Sequence, residues 1–102
     1  MRRHDVSRIL RTGRPLHGNR VVVFLTSGTG EGAFVATRRV GGAVERNRAR
    51  RILRAAWRDL APWRTDTHDA VLVAREAIRG AKTQDLMAEM TELLRREEGR
   101  PG

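Results

Sequence analysis

Apolar residues recur along this chain of 102 residues with two periods, and each change of period marks a change of element. From Asp5 to Arg11, Val6, Ile9 and Leu10 fall on one side of a short helix. Thr12-Gly13-Arg14-Pro15 ends it, since glycine can take a left-handed cap and proline cannot continue the helix. A helix so short needs a sheet to lie on. The run RVVVFLT, Arg20 to Thr26, is β-branched and apolar enough for a central strand. Ser27 to Gly32 makes a flexible turn into a second strand, Ala33 to Arg38, and the two are expected to pair as an antiparallel hairpin.

From Val44 to Ala61 the period becomes helical. Turning by about 100° per residue puts Ala49, Ile52, Leu53, Ala56, Trp57 and Leu60 on one arc. Asn47, Arg50, Arg51, Arg54 and Arg58 fall on the opposite arc, and Arg46 and Arg48 sit at the borders, where a guanidinium can reach outward from a buried stem. Pro62 stops the helix, Trp63 to Thr67 reads as a loop, and Ala70 to Arg75 reads as a strand. Thr83 is a suitable N-cap for a last amphipathic helix carrying Leu86, Met87, Met90, Leu93 and Leu94, and Glu97 to Gly102 reads as a frayed tail. The order helix, hairpin, helix, strand, helix predicts one two-layer α+β domain over residues 1–102, with helices against a single sheet.

Charge changes the picture of the middle helix. Solvated helix faces interleave acids with bases at i,i+4, whereas here the only acids are Glu45 and Asp59, near the two ends. Arg50, Arg54 and Arg58 therefore repel one another along one stripe. A polyanion would relieve that repulsion, its phosphates exchanging condensed counterions for arginine. Net charge is +9, and it is uneven: residues 1–61 hold 14 Lys+Arg and 4 Asp+Glu, whereas residues 62–102 hold 7 and 8. The cationic surface belongs to the first part of the chain. Twenty of the 21 basic residues are arginine, which a GC-rich codon preference explains before any functional choice does.

The ordered string Arg38-Arg39-Val40-Gly41-Gly42-Ala43-Val44-Glu45-Arg46-Asn47-Arg48, followed by Arg50-Arg51 and Arg54, resembles the signature of the bacterial ribonuclease P protein subunit. Asp5-Val6 with Arg8, Leu10 and Gly13 resembles that family's first helix, and Asp69 to Arg75 resembles its last strand. Similarity runs from about Asp5 to Arg96. The resemblance implies a ribosomal-protein-like fold with a left-handed crossover helix, against the usual right-handed rule. It also implies a cytoplasmic ribonucleoprotein endonuclease that removes the 5′ leader of precursor tRNA. In that enzyme an RNA subunit performs the cleavage with magnesium ions held mainly by the RNA and substrate, and the protein supplies no catalytic residue. Arg38, Arg39, Arg46, Asn47, Arg48, Arg50, Arg51, Arg54 and Arg58 would hold the catalytic RNA. A groove between the first helix and the sheet would take the leader.

This chain departs from the family in that groove. Val6 and Leu10 stand where relatives offer phenylalanines, so apolar contact replaces ring stacking. Phe24 shares a strand face with Arg20 and Val22, and either completes the groove with Arg20 or packs in the core.

Other classes are weaker. The longest apolar run, Val21 to Leu25, is far too short to span a membrane, and no secretory or lipidation motif opens the chain. Zero cysteines exclude disulfides and thiolate zinc sites. Gly28, Gly30 and Gly32 lack the Lys-Ser/Thr of a phosphate loop. His4, His17 and His68 are scattered, and Asp66 and Asp69 beside His68 read as a loop-to-strand junction, so neither a metal nor an acid/base site is expected. A DNA-binding role would need a helix-turn-helix or dimeric half-sites, and neither is visible. The remaining alternative is a general or ribosome-associated RNA-binding module with no part in tRNA processing.

Overall fold

The longest continuous apolar run outside the first strand, Ala70 to Ala74, becomes the strand with partners on both sides. In this computed structural model, which describes residues 1–62 and 68–98, the elements are α1 (Arg3–Thr12), β1 (Arg14–His17), β2 (Val21–Ser27), β3 (Gly32–Val35), α2 (Ala43–Asp59), β4 (His68–Ala74) and α3 (Thr83–Glu98), with a 3₁₀ turn at Glu76–Ile78 before α3. The sheet order is β1-β2-β4-β3. β2 pairs antiparallel with β1 and β4, and β3 pairs parallel with β4.

The expected β2–β3 hairpin does not form, because β4 lies between the two strands. A strand that is buried on both faces must satisfy its backbone on both edges, and the run at 70–74 has the burial for that place, with Ala70, Val71, Leu72 and Ala74 all buried. β3 is short and half-buried, as suits an edge. The real hairpin joins β1 to β2, and β1 was not anticipated: Arg14-Pro15 does end the helix, but it also opens an edge strand, where proline's missing N–H costs no ladder bond. Gly13 is extended, with φ −71° and ψ 159°, not left-handed. Its need for glycine is proximity: a Cβ there would lie 2.6 Å from the Ile9 carbonyl oxygen.

Alternation along the strands separates two faces. Val21, Val23 and Leu25 of β2 share a face with Ala74, Leu72 and Ala70 of β4, and this face meets Leu53, Ala56 and Trp57 of α2 and Leu86, Met90 and Leu93 of α3 in the main core. Val22, Phe24 and Thr26 face the other way with Val73, Val71 and Asp69. There α1 lies across β2 and β4, with Ile9 fully buried outside the main core. The helices thus cover both faces of the sheet, α2 and α3 on the main-core face and α1 on the other.

All six residues of the apolar arc on α2 are buried, so the phase read from the sequence holds. Thr83 is already the first residue of α3, and the Asp85 carboxylate accepts the Lys82 N–H at 2.9 Å. Glu97, read as frayed, is helical and paired with Arg14 of β1. The loop Trp63 to Thr67 and the tail from residue 99 lie outside the described residues.

Candidate nucleic-acid interface

With its apolar arc in the core, α2 must turn the opposite arc outward. Asn47, Arg51, Arg54 and Arg58 are exposed and Arg50 is half-buried. Asn47 Oδ1 accepts from the Arg50 guanidinium, and Arg58 pairs with its neighbour Asp59 at 3.2 Å. Arg54 lies over the Phe34 ring, 5.5 Å from its centroid, in a cation–π contact. Val44, Asn47, Arg50, Arg51 and Arg54 line a shallow depression of about 460 Å³. Val44, 78% exposed, is the one large apolar side chain on this surface.

Arg46 and Arg48 are half-buried and tied to backbone. Arg46 donates to the Gly41 carbonyl at 3.0 Å and so clamps the turn that enters α2. Arg48 donates to the Ala81 carbonyl at 2.7 Å, joining α2 to the segment before α3. Each guanidinium has five N–H donors, so both keep further donors. Arg38 and Arg39 are exposed on that entering turn, which closes with Val40 N–H to the Thr37 carbonyl at 3.0 Å and Gly41 N–H to the Arg38 carbonyl at 3.1 Å. Gly41 sits at φ +141°, a conformation that side-chain-bearing residues rarely adopt.

The second predicted cluster is only partly brought together. Val6, Leu10 and Phe24 all lie on the α1 side of the sheet; Val6 and Phe24 are half-buried and Leu10 is 37% exposed. Phe24 is therefore absent from the main core. Arg20 is drawn elsewhere: its guanidinium pairs with Glu89 of α3 at 3.2 Å, and the same carboxylate accepts the backbone N–H groups of Arg20 and Val21. Glu89 holds the β1–β2 turn, and Arg20 is its counter-ion rather than a neighbour of Val6 and Leu10.

Two features escaped the sequence reading. Phe34 supports Arg54 only because β3 runs beside β4 under α2, a pairing with no local signal. Asp69, read as an ordinary junction, organises the glycine loop: its Oδ1 accepts the N–H groups of Thr29, Gly30 and Glu31 at 2.9, 3.2 and 3.0 Å. Asp5, in the first turn of α1, accepts the Arg2 N–H at 3.2 Å; this bond, with His4 and Arg8 nearby, holds its carboxyl below the ordinary value. Asp66 lies outside the described residues, and among those described no three His, Asp or Glu side chains stand together so as to hold a metal ion. No described helix is long and apolar enough to cross a membrane.

A family model described as Ribonuclease P matches residues 1–98. The ribonuclease P protein component of Acidothermus cellulolyticus is 41% identical over 103 residues, covering 93% of this chain and 83% of its own. Those of two Chloroflexus aurantiacus strains are 52% identical over 64 residues, covering 61% of this chain and 47% of theirs, so the match spans about half the length of those relatives. In fold, the chain is similar to the RNase P protein of Thermotoga maritima, with a TM-score of 0.81 at 22% identity over 100% of this chain and 97% of that one. It is also similar to that of Staphylococcus aureus, with a TM-score of 0.75 at 18% identity over 95% and 92%.

Proposed function

The chain belongs to the ribonuclease P protein family, and from that premise we propose that it is the protein subunit of a ribonuclease P ribonucleoprotein. In this reading it binds the catalytic RNA and the 5′ leader of precursor tRNA, and assists endonucleolytic removal of the leader in the cytoplasm. The observation that carries it is the outward arc of α2, where Asn47, Arg50, Arg51, Arg54 and Arg58 stand over one side of the helix and, among the described residues, Asp59 alone of the acids is paired with them.

Such a surface grips RNA through phosphate and sugar, and so fixes position rather than reading sequence. Phe34 helps to hold the Arg54 guanidinium in place on this surface. Arg38 and Arg39 extend the surface onto the entering turn, while Arg46 and Arg48 set the angle between that turn, α2 and α3. On the other face of the sheet, Val6, Leu10 and Phe24 offer the leader an apolar strip in which one ring is available for stacking. We assign the magnesium of the reaction to the RNA and the substrate, and the cleavage chemistry to the RNA.

The test is precursor-tRNA cleavage at low magnesium with the protein alone, the catalytic RNA of the same organism alone, and both together. Activity that requires the mixture is the expected result. Activity of the protein alone would overturn the ribozyme-cofactor reading, and a mixture no better than the RNA alone would favour a general RNA-binding module.

A further inference from the structure

The face of the sheet that carries α1 is covered toward one end only. α1 lies across β2 and β4, and its last turn meets the Leu25 end of β2, where a Cβ at Gly13 would be 3.1 Å from the Leu25 carbonyl oxygen. Val71, on this face, is fully buried. Toward the other end, Val22, Val73 and Val35 lie side by side on β2, β4 and β3 and are only half-buried.

β1 extends this open strip. Its alternation packs Leu16 against the main core, so Pro15 and His17 turn to the α1 side, Pro15 beside Phe24 and His17 beside Val22. Diagonal neighbours on adjacent strands stand about 7–8 Å apart, which places the His17 and Phe24 rings as a pair on one face of the sheet. His17 is exposed, and among the described residues no ion pair or hydrogen bond holds its imidazole. The turn that follows it is firmly held. Glu89 accepts the N–H groups of Arg20 and Val21 at 2.8 and 3.1 Å, Gly18 N–H donates to the Val21 carbonyl at 2.8 Å, and Arg75 donates to the Gly18 carbonyl at 2.9 Å. A ring carried by a rigid turn loses little freedom when a base stacks on it. Arg75 is exposed at the same edge and keeps further donors for a phosphate.

Resting on the leader-binding reading above, we propose that His17 is a base-stacking residue of the leader site, and that with Phe24 it supplies the pair of rings that Val6 and Leu10 do not. Two successive unpaired bases lie on Phe24 and His17, the half-buried valines line the strip beside them, and Arg75 meets a phosphate at the His17 end. Other four-stranded sheets bind single-stranded RNA by stacking two or three bases on the rings of one face. A duplex cannot use such a pair, because its bases are already stacked on one another. The site therefore takes a single strand, as a leader is.

His17→Ala, in the full chain assembled with the catalytic RNA, should bind precursor tRNA about tenfold more weakly. Mature tRNA, which lacks the leader, should bind as before, and the affinity of the protein for the catalytic RNA should not change. His17→Phe keeps a ring without the imidazole nitrogens and should restore tight binding. Undiminished precursor binding in His17→Ala, an equal loss for mature tRNA, or no rescue by phenylalanine would each overturn the proposal. A second measurement needs no catalytic RNA. In an NMR titration of the full chain, a five-nucleotide single-stranded RNA should move the His17 and Phe24 ring protons upfield through the ring currents of its bases, and a duplex of the same sequence should leave them in place. Ring protons that stay put while the amides of Arg50, Arg51 and Arg54 shift would also overturn it. Rings that move, in a protein whose mixture with the catalytic RNA cleaves no better than the RNA alone, would uphold the ring pair and overturn the ribonuclease P reading alone.

Discussion

Arginines that look alike in the sequence do different things in the fold. Arg54 is exposed and rests on Phe34, so Arg54→Ala loses a surface cation–π contact and should cost about 0.5–1 kcal/mol of stability. If Arg54 also meets a phosphate, the same change should flatten the log–log salt slope of RNA binding by about one. Arg48→Ala removes a hydrogen bond from a charged donor to the Ala81 carbonyl, and should destabilise the domain by about 1.5–3 kcal/mol. Urea unfolding beside salt-dependent RNA binding resolves the two. Equal stability losses would mean that the Arg48 anchor is not maintained in solution.

At the scale of elements, single carboxylates hold the loops. Asp69 gathers three N–H groups of the β2–β3 loop, and Gly28 is glycine by necessity, since a Cβ would lie 2.2 Å from the Asp69 carboxyl carbon. Asp69→Ala leaves those amides without their shared acceptor, and should speed hydrogen exchange at Thr29, Gly30 and Glu31 while β2 and β4 stay protected. Unchanged exchange at the three amides would count against the loop's dependence on Asp69. In α1 the governing group is Asp5, whose carboxyl is held low first by the Arg2 N–H and then by His4 and Arg8. A carboxyl depressed in the folded state adds stability above its ordinary value and loses it as pH falls through the lower, folded one. α1 amides should therefore exchange faster in acid than those of α2, and Asp5→Asn should abolish the difference in pH response.

For the whole molecule, one sheet separates two surfaces with different chemistry. α2 and α3 close the main core on one face, and α2 turns its arginines outward; α1 lies across the other face with Val6, Leu10 and Phe24 beside it. Rigidity of this arrangement depends on the core between α2 and the sheet, where Ile52 is 7% exposed. Ile52→Asp places an unpaired charge there, at a cost of several kcal/mol against a total stability of about 5–15 kcal/mol for a domain. Loss of the cooperative thermal transition is expected. A fully folded variant would show that this face of α2 is not buried in solution.

By itself the sequence determined the positions and types of the three helices, three of the four strands, and the buried arc and outward arginines of α2, because these follow from short-range periodicity. It also carried the family resemblance, through the ordered string from Arg38 to Arg54. Strand order, β1, the side of the sheet taken by α1 and the diversion of Arg20 to Glu89 were decided only in the tertiary structure. Each depends on residues far apart in the chain. β2 and β3 are separated by a loop short enough for a hairpin, yet the backbone demand of the buried run at 70–74 on both its edges outweighs that closeness. Arg20 alternates with Phe24 along the chain, but a half-buried carboxylate on α3 is a stronger partner for a guanidinium than an apolar groove.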